Sequence, residues 1–383
     1  MKVLYILSGT TIYGGATKAF LNLLKGAMRL GVEPGVFLPD REGIYKEIKE
    51  NEIPVAISNF RFACWPPSKT LLDILLFVPR LTHHTALNIL AYHRLLRFAR
   101  EWKPDIIHTN VSVVDIGYKV ARKLGIQHVW HVREYGDFDF DFDFAPSYAS
   151  FLRKLNSDGN YCIAITNGVK EHHNLSDKKC EVIYDGVLSE NVCRYNSQKS
   201  SYFLFAGRLE EAKGIEMCIR AYVSYYHESK TTAELWVAGD AVESQYFAYL
   251  RDLATGAPIK FLGMRKDIYD LMYNAKALIV PSRHEGFGFI TAEAMFNGCL
   301  VIGRNTSGTK EQMDNGKSQT GKEIALRFET EEELTASIRE VDSRDISEYE
   351  NMILRGQSTA SKLYSSENHV KKVMNVYKRI YQS

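Results

Sequence analysis

Short apolar runs recur along the chain, each bounded by polar residues, glycine or proline, with stretches of helical periodicity between them. In the first half these runs predict strands near Lys2–Leu7, Pro34–Leu38, Asp105–Thr109, Gln127–His131 and Tyr161–Ile165. Phe20, Leu23, Leu24 and Ala27 fall on one face of the helix expected after the first strand. A polar stretch rich in Asn, Ser, Gln and Lys follows Glu181–Val187 and runs through Ser201, after which the alternation restarts. Strands are expected at 202–206, 234–238, 259–262, 277–281 and 299–302. Runs such as Ala277-Leu-Ile-Val-Pro281, with no alternating polar residue, suit strands buried on both faces of a parallel sheet. The pattern therefore predicts an α/β protein of two Rossmann-like doubly wound domains, 1–187 and 188–365. Val370, Val373, Val376, Tyr377 and Ile380 lie at helical spacing and predict an amphipathic helix over 366–383.

Composition narrows the functional classes. A chain of 383 residues with 45% hydrophobic and 25% charged residues has the make-up of an ordinary globular protein large enough for two cores. A formal charge of +2, without a run of five like charges, offers no strong field for nucleic acid. The cysteines at 64, 162, 180, 193, 218 and 299 lack C-x-x-C spacing and read as reduced thiols in a cytoplasmic setting. The pairs His83-His84 and His172-His173 have no partners at ligand spacing, so no metal is expected. Val3–Leu7 is too short for the apolar core of a signal peptide and reads as a first strand. The run Leu71–Val78 is interrupted by Asp73 and expected to stop at Pro79, well short of the roughly 20 residues that span a bilayer.

The chemistry concentrates in Ser282–Met295. Glu285 is expected just past a strand's carboxyl end, where open α/β sheets bind ligands, and Gly286 and Gly288 let backbone amides approach a ligand closely. A helix expected from near Phe289 places Glu293 in its first turn, where the macrodipole favours a carboxylate. Two carboxylates flanking amide donors suit a polyol such as a sugar. In Gly207-Arg208-Leu-Glu-Glu-Ala-Lys213-Gly214, a guanidinium, an ammonium and a helix amino terminus meet at one strand end, a combination that binds phosphate. Gly14-Gly15 sits in a turn between the first strand and a helix, but Gly15-Ala16 stands where a P-loop needs Lys followed by Ser or Thr, and no G-x-G-x-x-G is present.

The segment Glu285-Gly-Phe-Gly-Phe-Ile-Thr-Ala-Glu293-Ala-Met295 resembles the E-x7-E signature of retaining GT-B glycosyltransferases of family 4 (glycosyl transferases group 1), and the likeness extends to bacterial members that assemble polysaccharides. Cys299-Leu300-Val301 departs from it where the family usually has a proline before the valine, and Phe289 replaces a common leucine. Arg208 and Lys213 match the family's G-R-x-x-x-x-K-G motif, and His131-Val-Arg133-Glu134 matches members that read H-x-R-E. The resemblance implies two domains facing across a cleft, with the C-terminal helix crossing back to the first. It implies a nucleotide-sugar donor, UDP-linked before GDP-linked, and a glycan or lipid-linked acceptor, with no cofactor and no metal. Arg208 and Lys213 would bind the donor diphosphate, Glu285 with the amides of Gly286, Phe287 and Gly288 the donor sugar, Glu293 the ribose, and His131 the sugar in the transition state. Gly14 and Gly15 would line the donor and acceptor region, and His108 is a further acceptor-side candidate.

Three features stay open at this level. Asp137–Phe144 alternates Asp and Phe, which fits either a strand with carboxylates on one face or an irregular loop on the acceptor side. Leu81, Leu87, Leu90, Leu95 and Phe98, interleaved with Arg80, Arg94, Arg97 and Arg100, fit core-facing helices, or else a patch for peripheral contact with the cytoplasmic membrane face. Two other activities would fit the same residues: a nucleotide-sugar-binding partner in polysaccharide assembly that transfers nothing, and a UDP-sugar epimerase or hydrolase.

Overall fold

A computed structural model describes residues 1–12, 14–229, 231–241 and 243–382. The chain divides into two compact units, one of Met1–Gly186 together with the chain from Ser366 onward, the other of Val187–Ser365. The expected 366–383 helix spans Ser366–Tyr381, and Tyr13 and Ser383, which fall within expected features, lie outside the described residues.

Unit 1 carries seven strands: β1 (Lys2–Ile6), β2 (Glu33–Leu38), β3 (Val55–Ile57), β4 (Ile106–Thr109), β5 (Gln127–Val132), β6 (Asn160–Ala164) and β7 (Cys180–Val182). They pair in parallel throughout, in the order β3-β2-β1-β4-β5-β6-β7. Unit 2 carries β8 (Tyr202–Ala206), β9 (Glu234–Ala238), β10 (Ile259–Gly263), β11 (Ala277–Val280), β12 (Leu300–Arg304) and β13 (Leu326–Phe328), again all parallel, in the order β10-β9-β8-β11-β12-β13. In each sheet the winding reverses between two central strands, β1 and β4 in one and β8 and β11 in the other. Loops leaving the carboxyl ends of those strands part at that point and leave a crevice.

The apolar face read along the C-terminal segment is the buried one: Val370, Val373, Val376, Tyr377 and Ile380 pack into the core of unit 1 with Phe20, Leu23 and Leu24. Gly26 makes this possible, because a Cβ there would lie 2.4 Å from a methyl of Val370. β3, β7 and β13 were not foreseen, since three residues carry too little periodicity to separate from a loop.

Three sequence expectations are corrected. Pro79 does not end a helix: Leu71–Trp102 is one continuous helix of 32 residues with Pro79 inside it. It starts at a capping box, with Thr70 and Asp73 satisfying each other's backbone amides, so Asp73 marks the beginning of the helix. Asp137–Phe144 is not a strand; Asp137–Phe140 is a short helix, and only Phe144 pairs, in an isolated antiparallel bridge with Cys64. The residues read as core-facing on the long helix divide: Leu95 is buried, Leu81, Leu87 and Phe98 are half-buried, and Leu90 is exposed. Among the described residues no helix is long and apolar enough to cross a membrane.

Candidate functional site

In unit 2 the loop after β8 is shaped by close backbone crossings. Gly214 has φ +70° and lies against Pro281, whose carbonyl oxygen would be 2.2 Å from any Cβ. The Arg283 amide donates to the Ala212 carbonyl at 3.0 Å. These contacts draw the end of the β8 loop onto the loop after β11, and Lys213 meets Glu285 there in an ion pair of 2.9 Å, both side chains largely buried. Arg208 behaves differently: its guanidinium is exposed and pairs with Glu210 at 3.0 Å.

The turn 285–288 rests on the helix Ser307–Thr320. Gly308 donates its amide to the Glu285 carbonyl at 2.9 Å, and the Gln312 side-chain amide donates to the carbonyls of Phe287 and Gly288 at 2.6 and 2.9 Å. In a trans peptide the following N–H points opposite to the C=O. With those three carbonyls turned into the helix, the amides of Gly286, Gly288 and Phe289 point away from it. Gly288 has φ +86° and caps the helix Phe289–Phe296, and the Phe287 side chain is buried against Phe289 and Tyr364.

Glu293 is corrected in position. It is the fifth residue of its helix, beyond the first turn, and it is buried. Its orientation comes from Tyr269, on the helix Ile268–Asn274, whose hydroxyl donates to the Glu293 carboxylate at 2.9 Å. Burial, reinforced by the neighbouring Glu293, raises the Tyr269 phenol far above its usual range and keeps it a donor.

In unit 1, His131, next to last in β5, is fully buried and stacks on His369 at 5.8 Å. Its Nδ1 lies 3.2 Å from an Arg133 guanidinium nitrogen. A guanidinium only donates, so Nδ1 accepts and the imidazole is the neutral Nε2–H tautomer. Burial first, and then the Arg133 charge, push His131 well below the usual histidine range, in agreement with that assignment. The nearest carboxylate oxygen, on Asp185, is 3.8 Å from Nε2, too far for a hydrogen bond.

Arg133 is the hub. It forms a buried ion pair with both carboxylate oxygens of Asp185 and donates to the Asn110 carbonyl and side-chain oxygens at 3.0 and 3.2 Å. Asn110 in turn donates to the Ala16 carbonyl at 3.2 Å, just inside the helix Gly15–Arg29 that Gly14 caps. The strand ends of β4 and β5 are thereby tied to the Gly14-Gly15 turn. Glu134 holds the loop after β4, accepting from the Ser112 amide and hydroxyl at 2.7 and 2.6 Å and from the Val113 amide at 3.2 Å. His108 is buried too, 2.5 Å from the Tyr377 hydroxyl, and so serves the packing of the C-terminal helix.

Three of the four aspartates in the acidic alternation are engaged locally. Asp137 pairs with His172, Asp139 accepts from the amides of Tyr135 and Gly136, and Asp141 pairs with Lys69. Among the described residues no group of three or more His, Cys, Asp or Glu side chains is arranged to hold a metal ion.

Sequence reading brought forward His131, Arg208, Lys213, Glu285 and Glu293 but passed over Asn110, Asp185, Tyr269, Gly308 and Gln312. Arg133 and Glu134 were visible within H-x-R-E without a role. The partners they need lie far off in sequence, and no periodic or local pattern links them.

Comparison with known proteins follows the same division of the chain. Residues 13–190 match the family model "Glycosyltransferase Family 4" and residues 200–342 match "Glycosyl transferases group 1". An N-acetylgalactosaminyltransferase of Campylobacter jejuni, named for a diphospho-undecaprenol acceptor, is 26% identical over 38% of this chain and 39% of its own length. An uncharacterised glycosyltransferase of Methanocaldococcus jannaschii is 26% identical over 55% of this chain and 59% of its own. The matched stretch thus spans about half the length of these curated relatives. The crystal structure of Anabaena HepE in complex with UDP superposes with a TM-score of 0.76 at 18% identity, covering 99% of this chain and 100% of that one, a likeness of fold.

Proposed function

Because this chain belongs to the group 1, family 4 glycosyltransferases and has their GT-B fold, we propose that it moves a hexose-type sugar from a nucleotide-diphosphate donor to a hydroxyl of a glycan or lipid-linked acceptor, with retention of configuration. The observation that carries the reading is the turn 285–288, whose carbonyls are taken up by the helix behind it while Glu285 is held by Lys213 and Glu293 by Tyr269. Two oriented carboxylates beside outward-pointing amides suit the hydroxyls of a sugar and a ribose, and Arg208, at the end of β8, supplies a charge for the departing diphosphate.

The donor is UDP-linked in this proposal, supported by the UDP complex of a protein with the same fold. The acceptor is a polysaccharide precursor, supported by the diphospho-undecaprenol in the name of a relative. The reaction takes place on the cytoplasmic side of the membrane, with the acceptor hydroxyl attacking the face from which the nucleotide leaves and a donor phosphate oxygen accepting its proton. No metal or cofactor takes part in the scheme.

The test is thermal stabilisation and calorimetry with UDP, GDP, ADP and their common sugars, using Glu293→Ala as the control. Selective stabilisation by the uridine series, lost in the variant, is expected; no response to any nucleotide would overturn the reading. With a donor in hand, Arg208→Ala should cut turnover by about 10²–10³-fold with the fold intact.

A further inference from the structure

The loops after β8 and β11 carry the cations Arg208, Lys213 and Arg283, and each has a carboxylate partner within the same two loops. Arg208 pairs with Glu210 at 3.0 Å, Lys213 with Glu285 at 2.9 Å and Arg283 with Glu211 at 3.0 Å. A polyanion is drawn by excess positive charge, and these pairs leave none among the six side chains. Glu210 is the carboxylate that holds the arginine assigned to the diphosphate, and it stands at an unspecified position of G-R-x-x-x-x-K-G.

The backbone sets Glu210 against Arg208. The Gly207 amide donates to the Ala238 carbonyl and the Leu209 amide to the Asp240 carbonyl, both at 3.0 Å, which lays this segment along the end of β9. Gly239 permits the approach, because a Cβ on it would lie 1.8 Å from the Gly207 carbonyl oxygen. Leu209 is buried, and the Glu210 amide turns back onto the Arg208 carbonyl at 3.1 Å, closing a three-residue turn that brings the flanking side chains together. Both remain open to solvent, with 58% of the Arg208 and 30% of the Glu210 side chain exposed. A pair this exposed contributes little by itself, so an incoming diphosphate can take the guanidinium from it. The displaced carboxylate stays close, since its backbone is fixed, and its charge opposes the phosphates. That opposition is stronger toward the product than toward the donor. Loss of the sugar frees a terminal phosphate oxygen whose second ionisation falls at about pH 6, so the nucleoside diphosphate carries about one more negative charge at neutral pH.

We propose that Glu210 competes with the diphosphate for Arg208 and so limits the affinity of the site for the released nucleoside diphosphate, favouring its departure. The inference rests on the donor reading above and is read out separately from it. The experiment is calorimetry of the full chain and of Glu210→Gln with UDP and with inorganic pyrophosphate, at low and at high salt, beside Glu211→Gln. Glu210→Gln should bind both anions about fivefold more tightly, the effect of one like charge removed from about 4 Å in water, and the gain should shrink at high salt. Unchanged binding overturns the proposal, and so does weaker binding, which would make Glu210 a support that holds Arg208 in place. Equal tightening by Glu211→Gln, which removes the same charge one residue along, overturns it as well by tracing the effect to the general field of the loop. Tighter pyrophosphate binding by Glu210→Gln in a protein that answers to no nucleotide would keep the competition and refute the donor reading. No binding of either anion by either protein would refute both.

Discussion

Gly308→Ala tests whether the donor turn is positioned by the helix behind it. A Cβ at this position would lie 2.5 and 2.6 Å from the Phe287 carbonyl oxygen and carbon and 2.8 Å from the Glu285 carbonyl oxygen. Real Cβ atoms essentially never approach closer than 3.0 Å, so the turn must retreat by about half an ångström from its 2.5 Å contact. The obstacle is backbone, which cannot rotate aside. Overpacking of this kind costs about 1–3 kcal/mol, and the better helix propensity of alanine returns about 1 kcal/mol at most. A net loss of about 1–2 kcal/mol corresponds to about 2–4 °C of Tm per kcal/mol in a unit of this size. The functional effect should be larger than the stability effect. Misplacement by about 1 Å can cost about 10²-fold, so a half-ångström shift of Glu285 and the neighbouring amides should weaken donor use about tenfold. Calorimetric nucleotide affinity, donor KM and Tm would be measured beside Gly321→Ala. That control residue has φ +73° with nothing near its missing side chain, so it carries backbone strain without touching the site. If Gly308→Ala matched the unaltered protein in Tm, affinity and KM, the account of the turn would be wrong.

Tyr269→Phe removes the hydroxyl that orients Glu293 and should weaken nucleotide binding about fivefold, the worth of about 1 kcal/mol, with little change in Tm; unchanged affinity would separate Glu293 from the nucleotide. Asp185→Leu strips Arg133 of its buried carboxylate and should destabilise unit 1 by about 3–5 kcal/mol in chemical denaturation, whereas a loss below about 1 kcal/mol would refute the hub. Acidification should also destabilise unit 1. Burial lowers His108, His128, His131, His173 and His369, with His128 at about 3 and His173 at about 4 against 6.5 unfolded. Below about pH 6.5 the unfolded chain binds protons that the native histidines refuse, so stability is full above that value and falls by about 1.4 kcal/mol per pH unit for each fully depressed histidine as pH drops toward 4. Glu134, raised to about 7 by burial, works in the opposite direction between about pH 4.5 and 7, but it is one group against five. A Tm that stays level from pH 7 to 5 would contradict this balance.

The sequence alone determined the alternation of strands and helices, the restart after residue 201 and the apolar face of the C-terminal helix, because burial on both faces of a parallel sheet and on one face of a helix imposes periodic patterns on local residues. It also exposed the chemistry carried within short motifs: Glu285 to Glu293, Arg208 with Lys213, and His131. Tertiary structure decided what those groups can do. Lys213 reaches Glu285 because Gly214 crosses Pro281, Glu293 is aimed by a tyrosine from another helix, and His131 is fixed as a neutral donor by an arginine whose own partner, Asp185, lies on a different loop. Each depends on contacts between residues far apart in the chain, for which no local propensity exists. The same limit explains the long helix. Pro79 is a local stop signal, yet the stacking of Phe77 on Trp65 and the burial of Ala91, Leu95 and Ala99 hold Leu71–Trp102 as one element, leaving its first turns exposed.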